Sequence, residues 1–265
     1  MSETANSGTA TSDFNVQNEA THHPYFRPKD AATLILIDRS GDKPKVLVGK
    51  RHDKVVFMPG KFVFPGGRIE ALDRAMPAVS ELHPDTEKKL LERVSTPAPD
   101  YARAFALAAV RETAEETGLL LGVKRDEPPT SPGEIWNEFA KANVHPDLGQ
   151  IHFIARAITP PRRPRRFDTR FFTADATAVA HTIEGVVGPD SELVELTWVP
   201  IEKAAHLDMP TVTGIVLEEL LARVRAQVRH GSAREVARFT TLSEAQLDDI
   251  IAHILAQQAG TAPAP

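Results

Sequence analysis

The sequence predicts a sandwich of the α/β or α+β class, and two observations carry that expectation. Segments of strand-like alternation and of helical periodicity follow one another irregularly, with no internal repeat, unlike the even alternation of a βαβ series. The 265 residues are 42% hydrophobic and 25% charged, an ordinary globular composition with length enough for a sizeable core. One large domain with tails and two small domains both fit that length.

The elements follow in chain order. Residues 1–27 are polar, rich in Ser, Thr and Asn, and read as a disordered tail that includes His22 and His23. A main domain is expected over 28–230. AATLILIDR and KVLVGKR form a strand pair joined by the turn-prone SGDKPK, and KFVFPGG makes a third short strand ending in a Gly-Gly turn. Residues 74–99 are a polar interlude punctuated by Pro77, Pro84, Pro97 and Pro99, with one amphipathic helix, DTEKKLLERV. A longer helix runs from about Asp100 to Thr117. IHFIARAITP, RFDTRFFTAD and ELVELTWVP are further strands, and IEKAAHL and TVTGIVLEELLARVRAQV follow as helices. LSEAQLDDIIAHILAQ makes a C-terminal helical extension over 231–258, and 259–265 is a second disordered tail.

Charge and composition narrow the function classes. A net charge of -5 and a pI near 6.1 argue against a general nucleic-acid binder. No cysteine is present, so neither disulfide nor thiolate chemistry is available. No run approaches the ~18 apolar residues of a membrane span, and the N-terminus lacks the apolar region of a signal peptide. A cytoplasmic protein without a membrane partner is the expectation.

The stretch VRETAEETG, residues 110–118, concentrates negative charge where a helix least favours it. Glu112, Glu115 and Glu116 share one face at spacings of three and four, and like charges so placed cost roughly 0.2–0.5 kcal/mol per pair. Gly118 reads as the left-handed residue that ends the helix, so the three lie near the negative end of its dipole. Leu107, Val110, Ala114 and Thr117 form a mostly apolar stripe that would face a core. The glutamate face is then exposed and electrostatically strained, and bound divalent cations would relieve it. A solvated acidic helix end is the competing reading.

Joined to FPGG upstream, this stretch resembles the signature of the Nudix hydrolases, G-x5-E-x7-R-E-U-x-E-E-x-G-U, with U a bulky apolar residue. RETAEETGL matches every fixed position of its second half except Thr113. The resemblance extends over roughly residues 30–215. It implies a Nudix-type α/β/α sandwich with a mixed sheet. Asp73 stands where the family has its first glutamate, and the resemblance implies that it pairs with Arg111. Residues 74–110 number 37 where the pattern has seven, so a helical insertion of about 30 residues divides the box. Loop closure makes such an insertion cheap, and its place beside the box predicts a lid or rim on the substrate pocket. A divided box, and ITPPRRPRRFDTRFF, are similar to the branch that includes peroxisomal coenzyme A diphosphatases.

The resemblance implies cleavage of a nucleoside diphosphate linked to another group, with Mg²⁺ or Mn²⁺ as cofactor. Hard carboxylate oxygens suit either ion. Glu112 and Glu116 are the first choices as metal ligands, and Glu115 is a third ligand or the base that activates water. Arg111 completes the catalytic set. A backbone carbonyl near Gly66 or Gly67 adds a candidate ligand, and Glu192 and Glu195 are candidates for a further carboxylate.

For the substrate, LVGKRHDKVVFMPGKFVFPGG keeps Leu47, Arg51, Gly60 and FPGG of the pattern found in coenzyme A-cleaving members. It has His52 for a small residue and Val56 for a second arginine. Coenzyme A or an acyl derivative is the leading expectation, with ADP-ribose, a nucleotide sugar or a dinucleotide as the alternative. A non-catalytic Nudix-fold binding module is a third reading, opposed by the intact glutamates. PRRPRRFDTR carries Arg162, Arg163, Arg165, Arg166 and Arg170. Arg51, Arg165 and Arg166 are candidate readers of phosphate, since arginine forks match its geometry. A solvated loop that balances the acidic site explains the run equally well. His152 is expected on the exposed side of a strand, and Tyr101 and Phe105 as packing beneath the insertion. A homodimer is compatible with all of this.

Overall fold

The computed structural model describes residues 27–55, 58–161 and 165–230. The expected tails (apart from Arg27), the extension over 231–258, Val56, Arg162 and Arg163 lie outside the described residues. The strands are β1 (Lys29–Asp38), β2 (Lys45–Arg51), β3 (Phe62–Val63), β4 (Gly66–Arg68), β5 (Leu119–Leu121), β6 (Val123–Lys124), β7 (Val144–His145), β8 (His152–Ile158), β9 (Phe167–Asp175), β10 (Val179–Thr182) and β11 (Leu193–Pro200). The helices are α1 (Ala71–Ala75), α2 (Pro84–Leu90), α3 (Tyr101–Thr117), α4 (Trp136–Lys141), α5 (Ile201–Ala204) and α6 (Thr211–His230).

Seven strands form the main sheet in the order β11-β2-β1-β9-β8, with β3 added on β2 and β4 on β1. β1 and β9 run parallel and the other pairings are antiparallel, so the sheet is mixed. Alternation along β1 sends its side chains to two cores. Ala32, Leu34 and Leu36 join Leu107, Val110 and Ala114 of α3. Ile35 and Ile37 join Ile201 of α5 and Val216, Leu217 and Leu220 of α6. Period-two alternation with both faces apolar requires cover on both sides, and the result is a sheet between two helical layers.

Three sequence expectations need correction. KFVFPGG is two strands, not one ending in a Gly-Gly turn. Pro65, without an N–H, interrupts the ladder, and Gly66 and Gly67 then continue as strand opposite Thr33 and Ala32. The helix expected over DTEKKLLERV starts one residue earlier and ends at Leu90. Pro84 opens it, His83 Nδ1 accepts from the Asp85 N–H at 3.2 Å, and the positive φ of Arg93 (57°) ends any continuation. The third concerns residues 74–99, expected only as a lid or rim: they also contribute side chains to the core. Met76, Leu82 and Leu90 are buried in the cluster shared with α3, and α1 and α2 pack against that helix. Arg156 on β8 donates to the Glu92 carbonyl at 3.3 Å.

Residues 119–150 hold only short elements. There β5 pairs with β10 and β6 with β7 as small ribbons. Between them α4 seats Trp136 and Phe139, both fully buried.

A buried ionic group anchors the start of α3. Arg170, with no exposed surface, meets Asp168 Oδ1 at 2.7 Å and donates to the Tyr101 hydroxyl at 3.1 Å. Its guanidinium lies 4.1 Å from the Phe105 ring centroid, within cation–π range. Arg156 grips Asp168 with two bonds, 2.8 and 2.7 Å. Tyr101 and Phe105 are thus packing residues, and what they pack against is Arg170.

Candidate active site

The catalytic-type helix forms as its sequence dictates. Leu107, Val110, Ala114 and Thr117 are buried, as the apolar stripe requires. Thr113, in place of a bulky apolar residue, is also buried, and its hydroxyl donates to the Ala109 carbonyl at 2.7 Å. That bond to the carbonyl one turn back satisfies the polar atom inside the core. Gly118 ends the helix at φ 75°, with its N–H on the Ala114 carbonyl.

Arg111 organises the far end of this helix. Its side chain, 2% exposed, donates from Nε to Asp73 Oδ1 at 2.7 Å and from Nη1 to Glu115 Oε2 at 2.7 Å. Nη2 reaches the Arg68 carbonyl at 2.7 Å and lies 2.9 Å from Glu112 Oε1. One guanidinium thus joins α1, the end of β4 and two box glutamates. The Asp73 pairing implied by the family pattern is present, and Asp73 also accepts from the Glu70 N–H at 2.8 Å. The hold on Glu112 and Glu115 was not foreseen. It offsets repulsion that the sequence alone leaves uncompensated.

The glycines of β4 bring backbone against the same carboxylates. A side chain at Gly67 would overlap the Glu112 carboxylate, and one at Gly66 would meet the Ala32 carbonyl at 2.5 Å. Gly66 N–H donates to Glu116 Oε2 at 3.3 Å. Absence of a Cβ is what lets this strand close over the helix.

The glutamate face is less exposed than expected, and its electrostatics follow. Burial, opposed by Arg111, pushes Glu112 up to about 7. Glu116 is raised well above its usual value by burial and by the neighbouring charges of Glu192 and Glu112, against which Arg51 and the Gly66 N–H act. Glu115 is raised by burial, again against Arg111. Burial works against the charge of Arg111 itself, but Asp73, Glu112 and Glu115 outweigh it and hold its pKa above the ordinary value. Burial thus disfavours the charged form of all three glutamates.

Of the two further carboxylates, Glu192 faces Glu116, while Glu195 accepts from its own strand neighbour Thr197 at 2.8 Å. The ladder between β11 and β2 shifts register between Leu193 and Glu195, and such an irregularity re-aims side chains in a way periodicity cannot forecast. Arg51 pairs with Glu192 at 2.8 Å, so it sits beside the carboxylates. Arg166 is buried and donates to the Thr159 and Pro160 carbonyls, both at 3.1 Å. Arg165 is exposed in the adjoining loop. His152 is on the exposed side of β8, as expected.

Among the described residues, no three acidic side chains already form a group that would hold a metal ion. The donor chemistry nevertheless fits one. The oxygens of Glu112, Glu115 and Glu116 are hard, partly buried and only partly neutralised by Arg111, which suits Mg²⁺ or Mn²⁺. No described helix is long and apolar enough to cross a membrane.

No family model matches the chain. It is similar to the acyl-coenzyme A diphosphatase NUDT19 of Homo sapiens, 29% identical over 181 residues, which covers 48% of this chain and 47% of that protein. The Xenopus laevis NUDT19 is 24% identical over 198 residues, covering 57% and 52% respectively. The chain therefore spans about half the length of the curated relatives it matches. Among solved structures it is similar to a NUDIX hydrolase from Alicyclobacillus acidocaldarius, with 27% identity, a TM-score of 0.58, and coverage of 82% of this chain and 98% of that one.

Proposed function

We propose that this chain, which has the fold of the Nudix hydrolases, is a divalent-metal-dependent diphosphatase acting on coenzyme A or acyl-coenzyme A. The observation that carries the hydrolase reading is the Arg111 clamp, which presets Glu112 and Glu115 beside Glu116 and the Gly66-Gly67 strand. The coenzyme A part is supported by the similarity to acyl-coenzyme A diphosphatases and by the retained Leu47, Arg51, Gly60 and FPGG.

Glu112 and Glu116 would hold the metal, with Glu115 or Glu192 as a further oxygen donor. A bound Mg²⁺ or Mn²⁺ supplies charge neutralisation at the diphosphate and a lowered pKa for an attacking water. The protein's own part is positional. Arg111 fixes the Glu115 carboxylate one turn along the helix, where it can take the proton from the incoming water. Arg51, beside Glu192 and Glu116, balances acidic charge that would otherwise repel a polyanionic substrate. The products would be 3′,5′-ADP and the (acyl-)4′-phosphopantetheine.

Product masses from coenzyme A, acetyl-coenzyme A, ADP-ribose, a nucleotide sugar and a dinucleotide, each with Mg²⁺ and with Mn²⁺, test the reading. Fastest release of 3′,5′-ADP supports it. Brisk cleavage of ADP-ribose with coenzyme A untouched would move the protein to the alternative substrate class. No cleavage of any compound would favour a binding module.

A further inference from the structure

Arg51 and Glu192 meet at 2.8 Å beside the glutamate helix, but they are unequal partners. The Arg51 side chain is 14% exposed and that of Glu192 49%. Among the described residues the buried Arg51 Nε has no hydrogen-bond partner. Glu192 is thus the ion-pair partner of a largely desolvated guanidinium with an unfilled donor. The backbones on either side are fixed. The Arg51 N–H donates to the Lys61 carbonyl and the His52 N–H to the Glu192 carbonyl, both at 2.9 Å. Glu192 can therefore change partner by turning its side chain alone. The charges of both residues act on Glu116, and that of Glu192 does so more strongly than Glu112.

A divalent ion held by Glu116 would compete with Arg51 for the Glu192 carboxylate, since hard cations gather carboxylate oxygens. With Glu192 drawn to the ion, the Arg51 charge would be left mostly buried without its anion, a costly state. A diphosphate oxygen would end it, and the unfilled Nε belongs to the fork with which arginine grips phosphate. We propose that Glu192 is a latch: in the metal-free protein it holds Arg51 back from substrate, and on metal binding it passes to the ion and releases Arg51 to the diphosphate. This rests on the diphosphatase reading and adds an order to it, metal before nucleotide. Coupling of this kind is reciprocal, so Arg51 in turn weakens ion binding by keeping Glu192 occupied. Glu195, bonded to Thr197 on its own strand, stands outside the exchange and serves as a control of equal charge.

The test measures ADP binding by calorimetry in EDTA, independently of turnover, for the unmodified protein, Glu192→Gln, Arg51→Gln, the double variant and Glu195→Gln. Glu192→Gln should bind ADP about tenfold or more tightly than the unmodified protein, the effect of one charge-assisted bond set free. Glu195→Gln, with the same change in net charge, should not. In the Arg51→Gln background Glu192→Gln should bring no gain. A gain that persists there comes from relieved repulsion and overturns the latch, as does the lack of any gain. Should Arg51→Gln melt early, Arg51→Lys, which keeps the charge without the fork, replaces it in the cycle and should cut the gain; an undiminished gain again overturns the proposal. Titration with Mn²⁺, followed by electron paramagnetic resonance, gives the reciprocal reading. Arg51→Gln should bind the ion more tightly than the unmodified protein, and that difference should vanish once Glu192 is also replaced; a difference that remains counts against the latch. Failure to cleave any diphosphate with both couplings intact would overturn the hydrolase reading and leave the latch standing, while cleavage of coenzyme A with neither coupling would do the reverse.

Discussion

Asp73 and Arg111, 38 residues apart in the chain, meet at 2.7 Å with neither side chain more than 2% exposed. The pair joins α1 to α3 across the residues between them. Removing one partner strands the other's charge in the core, which typically costs about 3–5 kcal/mol. Asp73→Asn should therefore lower the unfolding midpoint substantially. Because Arg111 also holds Glu112 and Glu115, kcat should fall further than the loss of folded protein explains. Activity normalised to folded fraction and left unaltered would remove the positioning role.

Glu115→Gln and Glu116→Gln should each abolish most turnover, by about 10²–10⁴-fold for a proton-transferring residue, while the fold persists. In EDTA their stability should hold steady or rise, since burial already disfavours the charged carboxylates. Wild-type turnover in both variants would sink the assignment.

The same burial fixes a pH dependence for the metal-free protein. Glu112 is raised to about 7 and Glu116 well above the ordinary carboxylate range, so the folded state binds more protons than the unfolded chain. Stability from these groups is then fully present below the unfolded value of 4.5 and is lost as pH rises through the folded values. Melting in EDTA should weaken between about pH 5 and about pH 8 more steeply in the wild type than in Glu112→Gln or Glu116→Gln. A steeper decline in the variants would contradict the buried glutamates.

Mg²⁺ or Mn²⁺ should reverse that trend, because the ion requires ionised ligands and its stabilisation grows with pH. At 100 times its dissociation constant a ligand specific to the folded state adds about 2.7 kcal/mol. Thermal melts across a metal titration check this, with Glu116→Gln as the variant that should respond least. An unmodified protein whose midpoint ignores both ions would count against the site.

The insertion's buried residues set its cost of removal. Met76→Ala and Leu90→Ala should each destabilise by about 2–5 kcal/mol, the range for emptying a core position, with little change in KM. Chemical denaturation and steady-state kinetics separate the two effects. A large KM change with stability intact would instead give these residues a role at the substrate pocket.

What the sequence disclosed depended on whether a contact was local. The glutamate spacing, the Gly118 cap and the strand over AATLILIDR follow from helix and strand patterning, and all three are present. That Glu192 lies near Glu116 while Glu195 accepts from Thr197 could not be read from periodicity, with the β11 register shifting between Leu193 and Glu195. Arg170, Tyr101, Asp30 and Asp168 come together only once β1, β9 and α3 are assembled. Among the arginines of PRRPRRFDTR, composition could not distinguish Arg166, turned onto its own turn, from Arg170, buried beneath the helix.

The Arg170 anchor means that α3 is fastened at both ends. Tyr101 is tied through Arg170 to the sheet, and Arg111 and Glu116 are tied to α1 and β4. A rod held at each end has no inexpensive way to fray. Its central amides should exchange with solvent only when the whole domain opens, at the slow limit of native-state hydrogen exchange. The carboxylates are thereby mounted on a stator, a part of the fold that holds its place while less tethered segments are free to yield.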